Sequence, residues 1–217
     1  MITQQKKNYQ KELDWIISEV EKENERTLGK QTLLLHACCA PCSSAVVEYL
    51  SNFFSISIYY YNPNIHPEAE YMRRLNELKE FLPRFPSAEK IPLIADEYNP
   101  VEYFTATNVK KEPALQKEKE RGERCRRCYL LRMQKTYEYA KKNKFDWFTT
   151  TLSISPYKDA DKINTIGKQL EEEKGPKFLT SDFKKRNGFL RSLQLSDEYG
   201  LYRQDYCGCI YSKQNMR

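Results

Sequence analysis

The sequence predicts an α/β fold, a Rossmann-like three-layer sandwich built on a mainly parallel sheet. One observation is the short apolar run at 33–35, and a second is the alternating β-branched and aromatic run at 54–61. A third is that strand-length runs alternate with segments whose apolar residues recur every three or four positions. Strands that alternate with helices imply parallel pairing with right-handed crossovers.

The first half of the chain begins with a predicted amphipathic helix over residues 8–28. It leads into the first strand, and a helix then runs from a cysteine-rich turn to about residue 51. The second strand stops at Asn62-Pro63-Asn64, because proline breaks both a helix and a strand ladder. A helix over 68–82 and a short strand over 91–95 follow.

The second half opens with a partly apolar helix around residues 101–104. The highly charged stretch 110–124 is interrupted by Pro113 and Gly122, and we interpret it as an exposed loop or a mobile helix. The remaining predicted elements are a helix that opens at Cys125, a strand over 145–152, a helix over 159–170, a short strand at 178–179, a helix over 188–195 and a tail from Tyr199.

Length and composition limit the class of protein. A chain of 217 residues suits one core, so we expect a single domain over 1–217, with an N-terminal helix in 1–30 and a C-terminal segment in 199–217. The net charge of +6 fits a nucleic-acid partner as well as an ordinary lysine-rich surface. No run approaches the roughly 20 apolar residues of a membrane span, and residues 1–8 lack a signal peptide's apolar region. A cytoplasmic protein with no membrane partner is expected.

Cysteine clustering is the strongest functional signal. Structural disulfides are rare in a reducing compartment. Scattered core cysteines would not cluster, so tight groups indicate metal ligation or thiol redox chemistry. All seven cysteines fall into three groups: Cys38, Cys39 and Cys42; Cys125 and Cys128; Cys207 and Cys209.

The positions of these groups predict a shared site. The first group directly follows the first strand, and open α/β folds bind ligands at the carboxyl ends of their strands. Cys125 and Cys128 lie three positions apart at a helix start, on one face. Cys207 and Cys209 can fold over the same edge, with Gly208 allowing the backbone to bend between them. We expect all three groups to meet at the carboxyl edge of the sheet.

Several chemistries suit this pattern. Four thiolates complete a [4Fe–4S] cluster, so the seven cysteines of this chain exceed what one cluster needs. The alternatives are a zinc-stabilised RNA-binding module and a dithiol/disulfide oxidoreductase, since C-x-x-C pairs bind zinc and lower a thiol pKa at a helix start. His36 and His66 are candidate extra ligands, although a strand histidine is more often a hydrogen-bonded core residue. The first turn lacks a glycine-rich phosphate loop, which disfavours nucleotide-dependent chemistry.

Five spaced motifs run in order from about Leu33 to Ser212. They are His36-Ala37-Cys38-Cys39-Ala40-Pro41-Cys42; Tyr61-Asn62-Pro63-Asn64-Ile65 with Glu70, Tyr71 and Arg74; Glu123-Arg124-Cys125 with Cys128 and Arg132; Thr150-Thr151-Leu152 with Ser155-Pro156-Tyr157-Lys158; and Tyr206-Cys207-Gly208-Cys209. Together they resemble the QueH-type, cobalamin-independent epoxyqueuosine reductases.

The resemblance implies a catalytic domain similar in fold to adenine-nucleotide α-hydrolase-like (HUP) domains. The implied reaction is reduction of epoxyqueuosine to queuosine, the last step of queuosine biosynthesis, at the wobble position of tRNAs with GUN anticodons (Asp, Asn, His and Tyr). A [4Fe–4S] cluster, an adjacent iron ion and an external electron donor are also implied. All seven cysteines are then candidate metal ligands, and the candidate cluster-binding residues are Cys38, Cys39, Cys125, Cys128, Cys207 and Cys209.

Four side chains are candidate catalytic residues: Tyr61, Asn62, Tyr157 and Lys158. Tyr61 and Tyr157 can donate a proton, as can Tyr60 and Tyr202. Asn62 and Asn64 can hydrogen-bond a flipped-out base or its cyclopentane substituent, although Asn-Pro-Asn is also ordinary turn chemistry.

Basic side chains provide candidate phosphate contacts. Lys158 and Arg132 are two of them, with simple surface charge as the alternative. The expected RNA docking surface surrounds the second cysteine pair and consists of Lys110, Lys111, Lys117, Lys119, Arg121, Arg124, Arg126 and Arg127.

Overall fold

A five-stranded sheet forms the centre of the protein, and every strand pair in it is parallel. The structure is a computed structural model that describes residues 7–213. The strands are β1 (Thr32–His36), β2 (Ser55–Tyr60), β3 (Leu93–Ala95), β4 (Trp147–Thr150) and β5 (Lys177–Phe178).

The strand order is β3-β2-β1-β4-β5. The chain moves outward from β1 to β3 and then returns to β4 on the other side of β1. The carboxyl ends of β1 and β4 therefore flank the point where this direction reverses, which is where α/β folds bind their ligands.

Helices cover both faces of the sheet. Between residues 7 and 213, none of them is long and apolar enough to cross a membrane. They are α1 (Tyr9–Thr27), α2 (Ala40–Leu50), α3 (Glu68–Phe81), α4 (Pro100–Thr107), α5 (Pro113–Gln116), α6 (Glu123–Lys142), α7 (Ala160–Leu170), α8 (Gly188–Glu198) and α9 (Ile210–Lys213).

Alternate residues of β1 face opposite helical layers. Leu33 and Leu35 belong to a buried cluster shared with α1, α2 and α3, whereas Leu34 belongs to a cluster shared with α6 and α7. All three leucines are fully buried, as expected for the central strand of a parallel sheet that is covered on both sides. The predicted three-layer α/β fold is confirmed.

The charged stretch 110–124 is more ordered than predicted. It contains the short helix α5, and Arg124 at its end is only 1% exposed. The Arg124 guanidinium donates to the carbonyl oxygens of Leu115 (2.5 Å) and Gln116 (3.1 Å). The predicted exposed loop is wrong at this end, because Arg124 is buried and binds carbonyl groups in the last turn of α5.

The fourth strand is shorter than the predicted 145–152. It ends at Thr150, whose side-chain oxygen accepts from the Leu152 backbone N–H at 3.2 Å and starts a 3₁₀ turn over Thr151–Ile154. This local hydrogen bond competes with continued strand pairing.

Candidate metal centre

Three cysteines gather at the carboxyl end of β1. The sulfur atoms of Cys38, Cys39 and Cys42 all lie within 4.8 Å of one another. Cys39 is the N-cap of α2, and its sulfur accepts from the Cys42 backbone N–H at 3.3 Å. We call these three residues the first cysteine set. Sulfurs this close, at a helix N-terminus that favours thiolates, can bind one metal ion.

The first cysteine set shares its protons unequally. Hydrogen bonds from Cys39 and Cys42 lower the pKa of the Cys38 thiol well below its usual range. Burial and the bond to Cys38 raise the pKa of Cys39, and the bonds to Cys38 and Cys39 raise that of Cys42. One thiolate therefore forms readily, and a bound metal ion would replace the remaining protons.

The other four cysteines line a single cavity, and we call them the second cysteine set. Cys125 and Cys128 lie in the first turns of α6, and Cys207 and Cys209 come from the segment that precedes α9. Between the last two, Gly208 adopts a φ of 95°, and its carbonyl accepts from the His66 backbone N–H at 2.8 Å. Glycine permits this left-handed conformation without strain.

Arg132 lies between the two cysteine sets. It is 3% exposed, and its Nη2 donates to Asn62 Oδ1 at 2.5 Å. Burial acts to lower the pKa of Arg132, but the negative charges of Cys128 and Cys38, one from each set, raise it. No ion pair joins it to a carboxylate within residues 7–213. The alternative that Arg132 is a simple surface charge is therefore wrong, because the guanidinium is enclosed and lines the cavity.

Asn62 connects the first cysteine turn to α6. Its amide nitrogen donates to the Ala37 carbonyl at 2.9 Å, and its oxygen accepts from Arg132. Both polar ends therefore have protein partners, and the side chain is 1% exposed. Asn62 therefore holds the cysteine turn in place from a buried position.

The two candidate tyrosines lie apart from the cysteine cavity. The Tyr61 hydroxyl donates to a carboxylate oxygen of Glu102, and burial together with this bond raises the pKa of Tyr61 well above its usual range. Tyr157 is 69% exposed. Neither side chain lines the cavity.

Lys158 does line the cavity of the second cysteine set. Its side chain is 10% exposed, with Nζ 3.9 Å from a carboxylate oxygen of Glu120. Burial acts to lower the pKa of Lys158, but the negative charge of Cys207, followed by Tyr129 and Glu120, raises it well above its usual range. Lys158 is thus a largely enclosed cation that lines the same cavity as four thiols, and not a simple surface charge.

Comparison with known proteins assigns the chain to a family. The sequence model described as "Epoxyqueuosine reductase QueH" matches residues 33–215. The chain belongs to the QueH family. Proteins named epoxyqueuosine reductase QueH are similar over most of their length. That of Streptococcus pyogenes serotype M1 is 39% identical over 96% of this chain and 79% of its own, that of Staphylococcus epidermidis 37% over 96% and 85%, and that of Thermotoga maritima 35% over 86% and 92%.

This QueH chain also contains site residues that the sequence analysis missed. The Gln204 side-chain nitrogen lies 2.9 Å from Cys39 Sγ, and the Tyr103 hydroxyl lies 3.0 Å from Cys209 Sγ. The hydroxyl of Tyr129, which also lines the cavity, is buried without a hydrogen-bond partner. Two of these residues could have been found from the sequence, because Tyr129 directly follows Cys128 and Gln204 lies three positions before Cys207. Tyr103 carries no such signal.

The two histidines differ in how their ring nitrogens are occupied. Nδ1 of His36 lies 2.8 Å from Thr150 Oγ1, and its Nε2 lies 3.1 Å from the Tyr61 carbonyl oxygen. Burial, followed by the charge of Arg132, lowers the pKa of His36 to about 3, so the ring is neutral. His66 places Nδ1 2.9 Å from the Asn64 carbonyl oxygen, and its Nε2 is buried without a partner.

Proposed function

We propose that the protein reduces epoxyqueuosine to queuosine at the wobble position of tRNAs with GUN anticodons, acting as one catalytic domain over 1–217. Membership of the QueH family and the names of its relatives support the reaction. The structural observation that carries the proposal is the pair of adjacent cysteine sets, one of three sulfurs and one of four, with Arg132 between them.

The second cysteine set fits a [4Fe–4S] cluster, and the first fits one iron ion. Four cysteines around one cavity match the four-thiolate ligation of such a cluster. Three sulfurs within 4.8 Å can hold a single ion and leave a coordination position open. A cluster with four protein thiolates has no open iron, so this division gives each set a different task.

Buried positive charge supports resident anionic centres. Arg132, Lys158 and Arg74 are enclosed near the cysteines, and Arg74 is 1% exposed. Arg74 pairs with Glu70 at 2.7 Å, whereas the carboxylate contact of Lys158, with Glu120, is longer at 3.9 Å. A buried cation is costly unless an opposite charge compensates it. Thiolates held in the charged form by metal would provide that compensation for Arg132 and Lys158.

Removing the epoxide oxygen requires two electrons and two protons. Both carbon–oxygen bonds break, a carbon–carbon double bond forms and the oxygen leaves as water, with the electrons coming from an external low-potential donor. When bound, the cluster supplies electron transfer and the iron supplies a Lewis-acidic position. Lys158 retains its proton and places a positive charge beside the four thiolates that would hold the cluster. The buried setting strengthens that interaction.

The decisive test combines protein loaded with iron and sulfide, a chemically reduced low-potential donor and an anticodon stem-loop that carries epoxyqueuosine, without oxygen. Nucleosides are then separated and weighed by mass spectrometry. We expect a product lighter by one oxygen atom, with no cobalamin or nucleotide added. Unchanged epoxide with reduced, cluster-loaded protein would contradict the proposal. Activity that persists after metal removal would favour a dithiol oxidoreductase, and a colourless zinc protein that binds RNA without turnover would favour the binding module.

Cysteine variants test the division of ligands. Cys125→Ser should lose the visible absorbance and about four iron atoms of the cluster. Cys42→Ser should keep the cluster absorbance, lose the additional iron and lose turnover. Ser44→Ala is a matched control, because Ser44 is buried in α2 and its hydroxyl donates to the Pro41 carbonyl. The division is wrong if Cys42→Ser removes the cluster absorbance.

A further inference from the structure

A rim of basic and aromatic side chains borders the cavity of the second cysteine set. Arg121 donates from Nη2 to the Pro156 carbonyl, and Lys162 donates from Nζ to the Arg121 carbonyl. The neighbouring Glu120 contacts Lys158, which lines the cavity. These contacts join the segment 119–121 to the loop 155–158. The rim consists of Lys119, Arg121 and Tyr157, which are exposed, and Lys162, which is partly exposed and pairs with Asp159 at 3.7 Å.

Tyr157 stands out in this rim because its ring is uncovered. Within residues 7–213, one other aromatic side chain is comparably exposed, namely Trp15 on α1 at 65%. The loop that carries Tyr157 is held by two bonds to Ser155: the Tyr157 N–H donates to its side-chain oxygen at 3.2 Å, and the Lys158 N–H donates to its carbonyl at 3.1 Å. The ring therefore projects from an anchored backbone.

We propose that Tyr157 stacks on an unpaired nucleobase of the RNA substrate, beside the base that carries the epoxide. This inference rests on the proposed function. Lys158 follows Tyr157 directly, so consecutive Cα atoms, about 3.8 Å apart, connect the exposed ring to a side chain inside the cavity. The three cations of the rim can contact phosphates on either side. Aromatic rings interspersed with cations bind single-stranded RNA by stacking, which tolerates any base.

Trp15 provides the contrast. It lies in the middle of α1 next to Asp14, with Glu12 and Glu19 within one helical turn of it, and outside the segments 119–121 and 155–162 that carry the rim. Negative charge repels phosphates. An equally exposed ring at this position should therefore not contact RNA.

The test measures the affinity of metal-loaded protein, without oxygen, for an anticodon stem-loop carrying epoxyqueuosine. Tyr157→Ala should weaken binding by about 10- to 100-fold, the loss expected for one base–aromatic stack. Tyr157→Trp should restore it to within about twofold, because indole also stacks. The salt dependence of Tyr157→Ala should match that of the parent, since no charge is removed. Trp15→Ala is the matched control and should bind like the parent, and cluster absorbance verifies the fold of each variant.

The outcomes distinguish failure of the stacking role alone from failure of the proposed function. If the parent converts the stem-loop and Tyr157→Ala binds equally well, the stacking role is overturned and the proposed function stands. If Tyr157→Trp binds as weakly as Tyr157→Ala, the contact is not stacking and the inference fails. If the parent neither binds nor converts the stem-loop, the proposed function fails, and the stacking role fails with it.

Discussion

Polar residues near the cysteines mostly hydrogen-bond to other protein groups. His36, Asn62 and Arg132 form a connected group from the end of β1 to the middle of α6, with Asn62 bonded to both the Ala37 carbonyl and Arg132. Such a buried network is stable only when its members find partners. It keeps the first cysteine set and α6 in one arrangement.

Gln204 provides a prediction at the residue scale. Its Nε2 lies 2.9 Å from Cys39 Sγ and 4.0 Å from Cys42 Sγ, and its Oε1 is buried without a partner. Partners that orient metal ligands typically change affinity by about 10- to 100-fold when removed. We expect Gln204→Leu to weaken Co²⁺ or Fe²⁺ binding at the first cysteine set by that factor, as measured by chelator competition with the cluster in place.

The control for this prediction is Gln194→Leu, at an exposed position of α8. It should leave metal affinity unchanged. Equal affinities for the parent and Gln204→Leu would show that the contact has no influence on the metal.

At the scale of elements, the start of α6 depends on a residue outside the helix. The N-cap position, Gly122, has no side chain, and the Glu118 carboxylate instead accepts from the backbone N–H groups of Glu123 and Arg124, both at 2.7 Å. A carboxylate at a helix N-terminus satisfies unpaired N–H groups and interacts favourably with the helix dipole. Glu118 thereby fixes the turns that carry Cys125 and Cys128.

We expect Glu118→Ala to lower the free energy of unfolding by about 1 to 2 kcal/mol and to shorten the lifetime of the cluster against a chelator. Thermal unfolding and the decay of visible absorbance measure the two effects. Glu138→Ala, at an exposed position of the same helix, is the control and should change neither. A cluster lifetime in Glu118→Ala equal to that of the parent would show that the helix cap does not affect the metal site.

The C-terminal segment packs against α3 through another carboxylate. One Glu77 oxygen accepts from the Tyr202 backbone N–H, and the other is buried without a partner. Burial raises the pKa of Glu77. The folded protein thus holds this proton more tightly than the unfolded chain, and the contribution of Glu77 to stability falls as pH rises through and above the usual carboxyl range.

Replacing this carboxylate with an amide should therefore be stabilising at neutral pH. Glu77→Gln keeps the acceptor for Tyr202 and removes the buried charge, so we expect its Tm to exceed that of the parent by about 2 °C at pH 7. The difference should vanish below about pH 4, where the parent carboxyl is protonated. Glu89→Gln, at an exposed position, is the control. A gain of the same size at both pH values would rule out the ionisation of Glu77 as its cause.

At the scale of the whole molecule, packing removes part of the expected RNA docking surface. Arg124 is buried, and Arg127 pairs with Glu112 at 2.7 Å and with Glu123 at 3.0 Å. Arg126 also pairs with Glu123, at 2.6 Å. The remaining exposed cations of that surface are Lys110, Lys111, Lys117, Lys119 and Arg121.

Reversing the charges of Lys119 and Arg121 should weaken stem-loop binding and reduce its dependence on salt. Affinity falls as salt rises, and each lost phosphate contact makes the slope of log affinity against log salt concentration shallower by about 0.7 to 0.9. Reversal of Lys30 and Lys90 is the control, because these lysines precede β1 and β3 at the opposite edge of the sheet. If both double variants reduced the slope equally, the molecule's net charge and not this surface would attract the RNA.

The sequence by itself determined the α/β class and the placement of each cysteine group on its element. Apolar periodicity and the helix and strand signals around Cys38 and Cys125 are local properties, so they can be read along the chain. The family resemblance rested on similarly local motifs and is confirmed by the family match over residues 33–215.

Only the tertiary structure decided which cysteines share a cavity and which charges are buried. Cys125 and Cys209 lie more than 80 positions apart, and their approach depends on strand order and on how the C-terminal segment packs. Arg132, Lys158 and Arg121 are equally polar in sequence, yet the first two are enclosed and the third is exposed. The free energy of a charged side chain depends on the solvent and countercharges around it, which long-range packing supplies.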